Sequence, residues 1–219
     1  MKVLKSIIFV LFILFSVSVC SQSLSVNELF NNGVVLQQKS KTLIWGKAKP
    51  GNMVTVAVQG KNFTTKVNEN GDWTNQLLEL QPGGPFQMTI KSGNDSLNIS
   101  EVYVGDVWIA GGQSNMGFML ENDENGKEEI GNASNQNIHF VMVPVITYRG
   151  QKTKGNMDWK SATTENVSSM SAVAYYFAKE LQPKINVPIG IICCYKGGTA
   201  AEVWMSRETL LKNSEFAPI

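Results

Sequence analysis

EVYVGDVWIAGGQSNM, residues 101–116, is an apolar run of β-branched and aromatic residues that ends abruptly at Gly111 and Gly112. Such a run predicts a buried strand, and the glycines permit a tight turn directly after it. The turn brings the hydroxyl of Ser114 to the end of a strand, where a general base and backbone N–H groups can reach it. We therefore identify Ser114 as a candidate nucleophile.

The spacing around Ser114 is G-x-S-x-M, which departs from the motif of the α/β-hydrolases. Met116 stands where that motif has its second glycine. A serine hydrolase with this sequence therefore needs a different scaffold. An ordinary strand-to-helix turn, with Ser114 or Asn115 as the N-cap of the helix, explains the same spacing equally well.

Composition indicates a globular protein, because 43% of the 219 residues are hydrophobic, enough for the core of one large domain or two modest ones. The chain has 19 basic and 18 acidic residues, and removal of Lys2 and Lys5 in the N-terminal segment leaves 17 against 18. This balance argues against nucleic acid or an anionic membrane surface as a partner.

Residues 1–20 have the three parts of an export signal: two lysines, an apolar run over residues 7–15, and small residues over 16–20. The apolar run is too short to span a bilayer. We expect an exported protein, periplasmic or extracellular. Cys20 leaves open a lipid anchor, as in a lipoprotein, although the bulky Val19 before it favours plain cleavage.

Residues 21–100 contain short apolar or alternating runs separated by turn signals such as Asn70-Gly71-Asp72 and Pro82-Gly83-Gly84-Pro85. No helical period of useful length is present. This spacing predicts an antiparallel β-sandwich or jelly-roll module.

From residue 101 the pattern becomes strands that alternate with helices, which is typical of an α/β fold with a parallel sheet. The predicted strands are residues 102–110, 138–143 and 187–194. The clearest helix carries apolar residues at helical spacing from Met170 to Leu181, with Ser168 or Ser169 as N-cap and Pro183 as its stop.

The third predicted strand also ends in a glycine pair, Gly197-Gly198. Ligands of open parallel sheets bind at the carboxyl edge, where both glycine pairs would meet. Gly197 or Gly198 is thus a candidate to place a backbone N–H beside Ser114 as part of an oxyanion hole. Glycines that only begin a helix remain the alternative. The chain has no phosphate-binding glycine motif, which disfavours a nucleotide enzyme.

A serine hydrolase needs a general base, usually histidine, and this chain has one histidine. His139 lies inside a predicted strand, and we interpret it as structural. One histidine with the adjacent Cys193 and Cys194 offers no spacing for zinc, so we expect no metal and no other cofactor. Because only three parallel strands are predicted, we expect the chain to be the N-terminal portion of a longer protein that carries the base.

The chain resembles the sialate O-acetylesterase family, whose catalytic domain is of the SGNH-hydrolase type. The matching stretches cover nearly the whole mature chain in the family's order. They are Leu29-Phe30, Val35-Leu36-Gln37, Trp45-Gly46, Pro50-Gly51, Gly71-Asp72-Trp73, Gly83-Gly84-Pro85-Phe86, Gly105-Asp106-Val107-Trp108, Gly112-Gln113-Ser114-Asn115-Met116, Ser171-Ala172-Val173-Ala174-Tyr175, Val187-Pro188-Ile189-Gly190, Gly197-Gly198-Thr199 and Trp204-Met205-Ser206.

The resemblance implies that Ser114 is the nucleophile, supported by Gln113 and Asn115, and that the N–H groups of Ser114 and of Gly197 or Gly198 form part of the oxyanion hole. It also implies an SGNH-type three-layer parallel sheet over residues 101–219, incomplete at its C-terminal end. The family's Q-G-E-x-N and D-x-x-H segments, which carry the last oxyanion donor and the base, do not occur here.

The resemblance further implies an esterase that removes O-acetyl groups from sialic acids or related glycans through an acetyl-serine. Gly117-Phe118 and Lys196 depart from the family's usual residues beside the acyl pocket, and they leave the sugar open. An acetyl-xylan or other polysaccharide esterase is one alternative. A non-catalytic carbohydrate-binding or vestigial fragment is the other. Oligomeric state is left open.

Overall fold

The computed structural model describes residues 23–145, 156–212 and 216, and it shows a mixed α/β fold dominated by a multi-stranded mixed sheet. The predicted export signal and Cys20 lie outside the described residues. The strands are β1 (Ser25–Val26), β2 (Val34–Gln37), β3 (Thr42–Lys47), β4 (Met53–Val58), β5 (Lys61–Lys66), β6 (Asp72–Leu77), β7 (Gly83–Ser92), β8 (Asp95–Gly112), β9 (Ser134–Met142), β10 (Lys160–Thr163) and β11 (Ile189–Tyr195). The helices are α1 (Gly126–Asn132), α2 (Ala172–Ile185) and α3 (Arg207–Leu211), with 3-10 turns at Leu120–Asn122, Val167–Ser169 and Ala201–Trp204.

The N-terminal region is built from two groups of strands. Strands β1, β3 and β6 form a small antiparallel sheet, whereas β7, β4 and β5 extend the larger sheet from β8. Their alternating residues fill a shared core that includes Ile44, Trp73 and Met88. The region is not wholly antiparallel as predicted, because β2 pairs with β8 in parallel. The side chain of Gln37 favours this pairing, since its Oε1 accepts a hydrogen bond from the N–H of Val107 at 2.8 Å.

Strand β8 is 18 residues long and belongs to both regions of the chain. It pairs antiparallel with β7 as far as Val104 and in parallel with β11 from Asp106 to Gly112. The predicted boundary between residues 100 and 101 therefore falls inside a strand. In the sequence, the adjacent polar residues Ser100 and Glu101 interrupt the apolar pattern. In the structure they are exposed residues of the same strand, between the buried Ile99 and Val102.

The C-terminal region contains the predicted parallel strands in the order β9, β11, β8, and antiparallel β10 pairs with the outer edge of β9. Strand β11 is largely buried because it lies between two parallel neighbours. Strand β10 was not predicted, since its sequence KSAT has no apolar alternation. The preceding Trp159 is buried and donates its indole N–H to the carbonyl of Leu29 at 2.8 Å.

Helix α2 begins and ends later than the sequence predicts. Its N-cap is Ser171, whose Oγ accepts a hydrogen bond from the N–H of Ala174 at 3.2 Å, rather than Ser168 or Ser169. Pro183 lies inside the helix. The helix ends at Asn186, which adopts a left-handed conformation with φ 51° and donates its N–H to Gln182.

Replacement of Ser171 by Ala is expected to lower the free energy of unfolding by about 1 kcal/mol, because the cap satisfies an otherwise unpaired N–H of α2. Ser169→Ala is the matched control and should change that free energy by less than about 0.5 kcal/mol. Urea unfolding followed by circular dichroism measures both variants. Equal losses of unfolding free energy in the two variants would show that Ser171 is not the residue that caps α2.

An apolar patch is exposed next to the free side of β8. Residues 106–112 of β8 pair with β11 on one side, and no other described strand pairs with them. Trp108 and Ile109 on this strand are 44% and 73% exposed, and Phe177 and Val173 of α2 are 41% and 51% exposed. The rings of Trp108 and Phe177 contact edge to face at 5.0 Å. Apolar surface beside an unpaired strand edge is characteristic of a surface that binds further protein.

Candidate active site

Ser114 lies in an exposed turn immediately after β8, at the carboxyl edge of the parallel strands. The N–H of Gly117 closes the turn by donating to the carbonyl of Gln113 at 2.9 Å. The next helical segment begins at Leu120, and its N-cap is Met119. Ser114 and Asn115 therefore cap no helix, and the alternative of an ordinary capping turn is wrong.

Glycine is required at position 112 for the chain to leave the strand in this direction. Gly112 has φ +146°, and a Cβ there would lie 3.3 Å from the Cβ of Met116. The Met116 sulfur accepts a hydrogen bond from Ser171 Oγ at 3.4 Å, so the turn rests on the start of α2. The close packing of Gly112 and Met116, on either side of Ser114, therefore holds Ser114 at the surface.

The loop after β11 lies beside the Ser114 turn. A Cβ built on Gly197 would lie 3.8 Å from both the Cα and the Cβ of Ser114. Two hydrogen bonds join the loops: the N–H of Lys196 donates to the carbonyl of Gly112 at 3.0 Å, and Gln113 Nε2 donates to the carbonyl of Thr199 at 3.0 Å. The structure therefore brings together Gln113, Ser114 and Gly197.

The other two predicted site residues, Gly198 and Asn115, make fewer contacts with the site than Gln113 and Gly197. Gly198 has φ +75°, and a Cβ there would meet no atom within 4 Å. The side chain of Asn115 is exposed and forms no hydrogen bond with any described residue. The positive φ therefore favours glycine at position 198, and Asn115 presents its side chain to solvent.

A cavity of about 370 Å³ lies next to this loop, between the ends of β9 and β11. Its lining is mostly apolar and includes Val143, Pro144, Tyr195, Val203 and Trp204. The indole N–H of Trp204 donates to Thr199 Oγ1 at 2.9 Å, which ties this wall to the glycine loop. No local pattern in the sequence indicates this pocket, because Val143 and Pro144 are distant along the chain from Trp204.

Cys193 does not supply a nucleophile here. Cys193 and Cys194 are both free thiols, and Cys193 is buried in β11. Burial raises the pKa of the Cys193 thiol to about 12, and its hydrogen bond with Tyr195 opposes that shift. Since the thiolate is the reactive form, Cys193 is inert at neutral pH.

His139 is far from Ser114. It pairs with Gly190 at the start of β11, whereas Tyr195 at the other end pairs with Gly112, so the two sites are separated by five residues of strand, or ~16 Å. The Ser114 hydroxyl makes no hydrogen bond with any residue that the structure describes. Nor do residues 23–145 and 156–212 contain a group of three His, Cys, Asp or Glu side chains that could hold a metal ion. The described residues therefore place no histidine base beside Ser114.

Burial lowers the pKa of His139 to about 4. The main chain of Gln136 opposes this shift in part, although neither ring nitrogen makes a well-directed hydrogen bond with a described residue. His139 is 4% exposed and lies in β9, where the sequence placed it.

The depressed pKa of His139 predicts a loss of stability in mild acid. Between about pH 6.5 and pH 4 the unfolded histidine binds a proton that the folded one does not, so the free energy of unfolding falls as pH falls through this range. The expected loss at pH 5 is about 2 kcal/mol. Because this is the chain's single histidine, His139→Phe should remove that component. Urea unfolding at several pH values tests this, and an unchanged slope in the variant would contradict it.

Comparison with known proteins identifies the family. Residues 104–214 match the family model described as "Carbohydrate esterase, sialic acid-specific acetylesterase". The sialate O-acetylesterase of Mus musculus is 34% identical over 200 residues, covering 82% of this chain, and that of Homo sapiens is 33% identical over 200 residues, also covering 82%. The match spans only 37% and 38% of the length of these relatives.

The fold is also found in a solved structure. The crystal structure of a carbohydrate acetylesterase from Xanthomonas citri superimposes with a TM-score of 0.80 and 33% identity, covering 88% of this chain and 44% of that one. The resemblance inferred from the motifs is thereby confirmed. Since the family model covers half of the chain, this protein belongs to the sialic acid-specific acetylesterase family of carbohydrate esterases.

Proposed function

We propose that Ser114 is the nucleophile of an exported esterase that removes O-acetyl groups from sialic acids or related glycans. The observation that carries the proposal is the contact of Gly197 with Ser114 at the shared carboxyl edge of β8 and β11. An exposed serine beside bare glycine backbone meets two needs of acyl transfer, an accessible hydroxyl and donors for an oxyanion. Family membership supports acetyl-ester chemistry.

The reaction proceeds through an acetyl-serine. Ser114 Oγ attacks the acetyl carbonyl carbon while its proton passes to a base, and the carbonyl oxygen becomes an oxyanion. The N–H groups of Ser114 and of Gly197 or Gly198 stabilise that oxyanion. The tetrahedral intermediate then collapses to acetyl-Ser114 by breaking the bond to the sugar oxygen, which takes the proton from the base. Water, activated by the same base, hydrolyses the acetyl-serine to acetate and restores Ser114. Gln113 supports the site by fixing the glycine loop through Thr199.

The proposal includes a base from outside the described residues. The relatives are more than twice as long as the matched region, which leaves them length for further strands and helices. The unpaired side of β8 and the apolar patch are the surfaces on which such elements would pack. The region 101–219 would then be the N-terminal half of an SGNH-type three-layer domain, preceded by a β-sandwich or jelly-roll module at 21–100. Without that base, the chain alone is expected to be inactive.

Export is proposed from the predicted signal at residues 1–20, with plain cleavage favoured over lipid attachment at Cys20. No helix among the described residues is long and apolar enough to cross a membrane. The substrate would then be an acetylated glycan that is reached outside the cytoplasm.

A serine-reactive fluorophosphonate probe, applied to the longest protein that the gene encodes, tests the nucleophile. We expect one labelled peptide, containing Ser114, and loss of labelling in Ser114→Ala. Ser40→Ala, at an exposed serine in the N-terminal region, is the matched control and should label normally. Absence of labelling together with glycan binding would instead support a non-catalytic binder.

Acetate release from O-acetylated sialic acid and from acetylated xylan then distinguishes the substrates. The relative from Xanthomonas citri is described only as a carbohydrate acetylesterase, so a polysaccharide esterase is the second candidate. Faster release from xylan would favour that candidate while leaving the role of Ser114 intact.

The two glycines of the loop are expected to respond differently to replacement by Ala. Gly197→Ala should lower kcat by about tenfold, less than the 10²–10³ typical for complete loss of an oxyanion donor, because the methyl group borders Ser114 but the N–H remains. Gly198→Ala should lower the free energy of unfolding by about 1 kcal/mol through its positive φ. Kinetics of both variants in the longest protein that the gene encodes, together with urea unfolding, test this. A larger loss of kcat in Gly198→Ala than in Gly197→Ala would assign the donor to Gly198.

A further inference from the structure

The cavity beside the Ser114 turn carries a positive charge. Among the described residues that line this cavity of about 370 Å³, Lys196 is the one with a charged side chain, and the others are apolar or neutral. Glu202, in the adjacent 3-10 turn, does not belong to the lining. The volume lies in the range of small-molecule sites in proteins. The cavity therefore suits a small ligand with a negative charge.

The backbone of Lys196 is fixed, whereas its ammonium group is available. Its N–H donates to the carbonyl of Gly112 at 3.0 Å, and its carbonyl accepts a hydrogen bond from Thr199 Oγ1 at 2.8 Å. The side chain is exposed and forms no ion pair or hydrogen bond with any residue that the structure describes. Because the next residue, Gly197, borders Ser114, the four-carbon side chain can reach a group on a sugar whose ester lies at Ser114.

Trp204 forms an apolar wall of the same cavity in a fixed orientation. The Thr199 hydroxyl that donates to Lys196 also accepts a hydrogen bond from the indole N–H of Trp204 at 2.9 Å. One hydroxyl thus links the indole to the backbone of Lys196. Trp204 is 43% exposed, so the ring has free surface for the C–H groups of a sugar.

We propose that Lys196 is a specificity-determining residue, which selects acetylated sugars that carry a carboxylate. The sugar's carboxylate pairs with the Lys196 ammonium through a charge-assisted hydrogen bond, and its ring packs on Trp204 while the acetyl carbonyl faces Ser114. Sialic acids and uronic acids share this chemistry, and neutral sugars lack it. The inference rests on the proposed esterase function.

Steady-state kinetics of the longest protein that the gene encodes tests the proposal. The substrates are an O-acetylated N-acetylneuraminate, the same sugar with its carboxylate converted to a primary amide, and an acetylated methyl galacturonoside. We expect about a tenfold preference in kcat/KM for the neuraminate carboxylate over its amide, chiefly through KM, because the ion pair forms with bound substrate and transition state alike. The galacturonoside distinguishes a uronic acid from a sialic acid as the better ligand.

Variants assign the preference to one side chain. Lys196→Met should abolish the preference for carboxylate over amide, and Lys196→Arg should retain most of it. Lys91→Met, at an exposed lysine of β7, is the matched control and should show the preference of the unchanged protein. A merely structural role of Lys196 would lower the rates of the acid and the amide together. That result, or a preference that persists in Lys196→Met, would overturn the proposal.

Two further measurements separate this proposal from the esterase function. Hydrolysis of p-nitrophenyl acetate, which has no sugar, reports on the nucleophile alone, and its absence would contradict the esterase function. Calorimetry with N-acetylneuraminate and galacturonate then tests the site in Ser114→Ala. Binding of either acid that weakens about tenfold on adding Lys196→Met would support the role of Lys196, and equal binding with and without that substitution would overturn it.

Discussion

Ser114→Ala is expected to lower kcat/KM for acetyl-ester hydrolysis by about 10⁴–10⁶ in the longest protein that the gene encodes. The loss is large because the alanine cannot form the acetyl intermediate, and only the oxyanion donors and substrate binding remain to accelerate hydrolysis. The substitution should leave stability nearly unchanged, since Ser114 is exposed and its hydroxyl bonds to no described residue.

The measurement is steady-state acetate release by Ser114→Ala and by the Ser40→Ala control, with thermal unfolding of both. Retention of more than about a tenth of the activity would contradict the role of Ser114. A large loss that is accompanied by unfolding would also count against it, because the loss would then be structural.

Gly105→Ala is expected to prevent stable folding, with a loss of about 4–5 kcal/mol or more in the free energy of unfolding. A Cβ on Gly105 would lie 1.8 Å from the carbonyl oxygen of Pro188 and 2.6 Å from its carbonyl carbon. Both are backbone atoms, so no side chain can rotate away. Movement of the backbone at Gly105 would also disturb two hydrogen bonds. The N–H of Asp106 donates to the same Pro188 oxygen at 2.9 Å, and the N–H of Gln38 donates to the carbonyl of Gly105 at 2.7 Å.

Gly131→Ala is the control for Gly105→Ala. Gly131 lies in helix α1, and a Cβ there would meet nothing within 4 Å. Alanine should therefore stabilise the helix by up to about 1 kcal/mol. Circular dichroism and urea unfolding compare the two variants. A folded Gly105→Ala protein with normal stability would show that β8 and β11 approach less closely than described.

The sequence predicted those parts of the fold whose signal is local. Strands β2, β4 and β6 follow from short apolar or alternating runs, and β11 follows from its continuous apolar stretch. The juxtaposition of Ser114 and Gly197 also followed, because two parallel strands that end in glycine pairs meet at one edge.

The missed features depend on contacts between distant residues. β10 has no apolar pattern and forms only because β9 offers it an edge. The end of α2 is set by the left-handed Asn186 rather than by Pro183, which the last turn of the helix tolerates. The cavity beside Lys196 brings Val143 and Trp204 together from distant parts of the chain, which no local pattern indicates.

The continuity of β8 limits how the two regions can be recombined. Ile99 and Val102 are both buried although they are three residues apart, because the register with β7 shifts between them: Ile99 pairs with Met88 and Val102 pairs with Phe86. This irregularity gives β8 one extra residue at the junction of the two regions, and it sets the phase in which the later side chains of the strand alternate. A chimaera that joins another N-terminal module to the C-terminal region must therefore keep the extra residue at positions 100 and 101, because its removal would reverse the facing of every later side chain in β8.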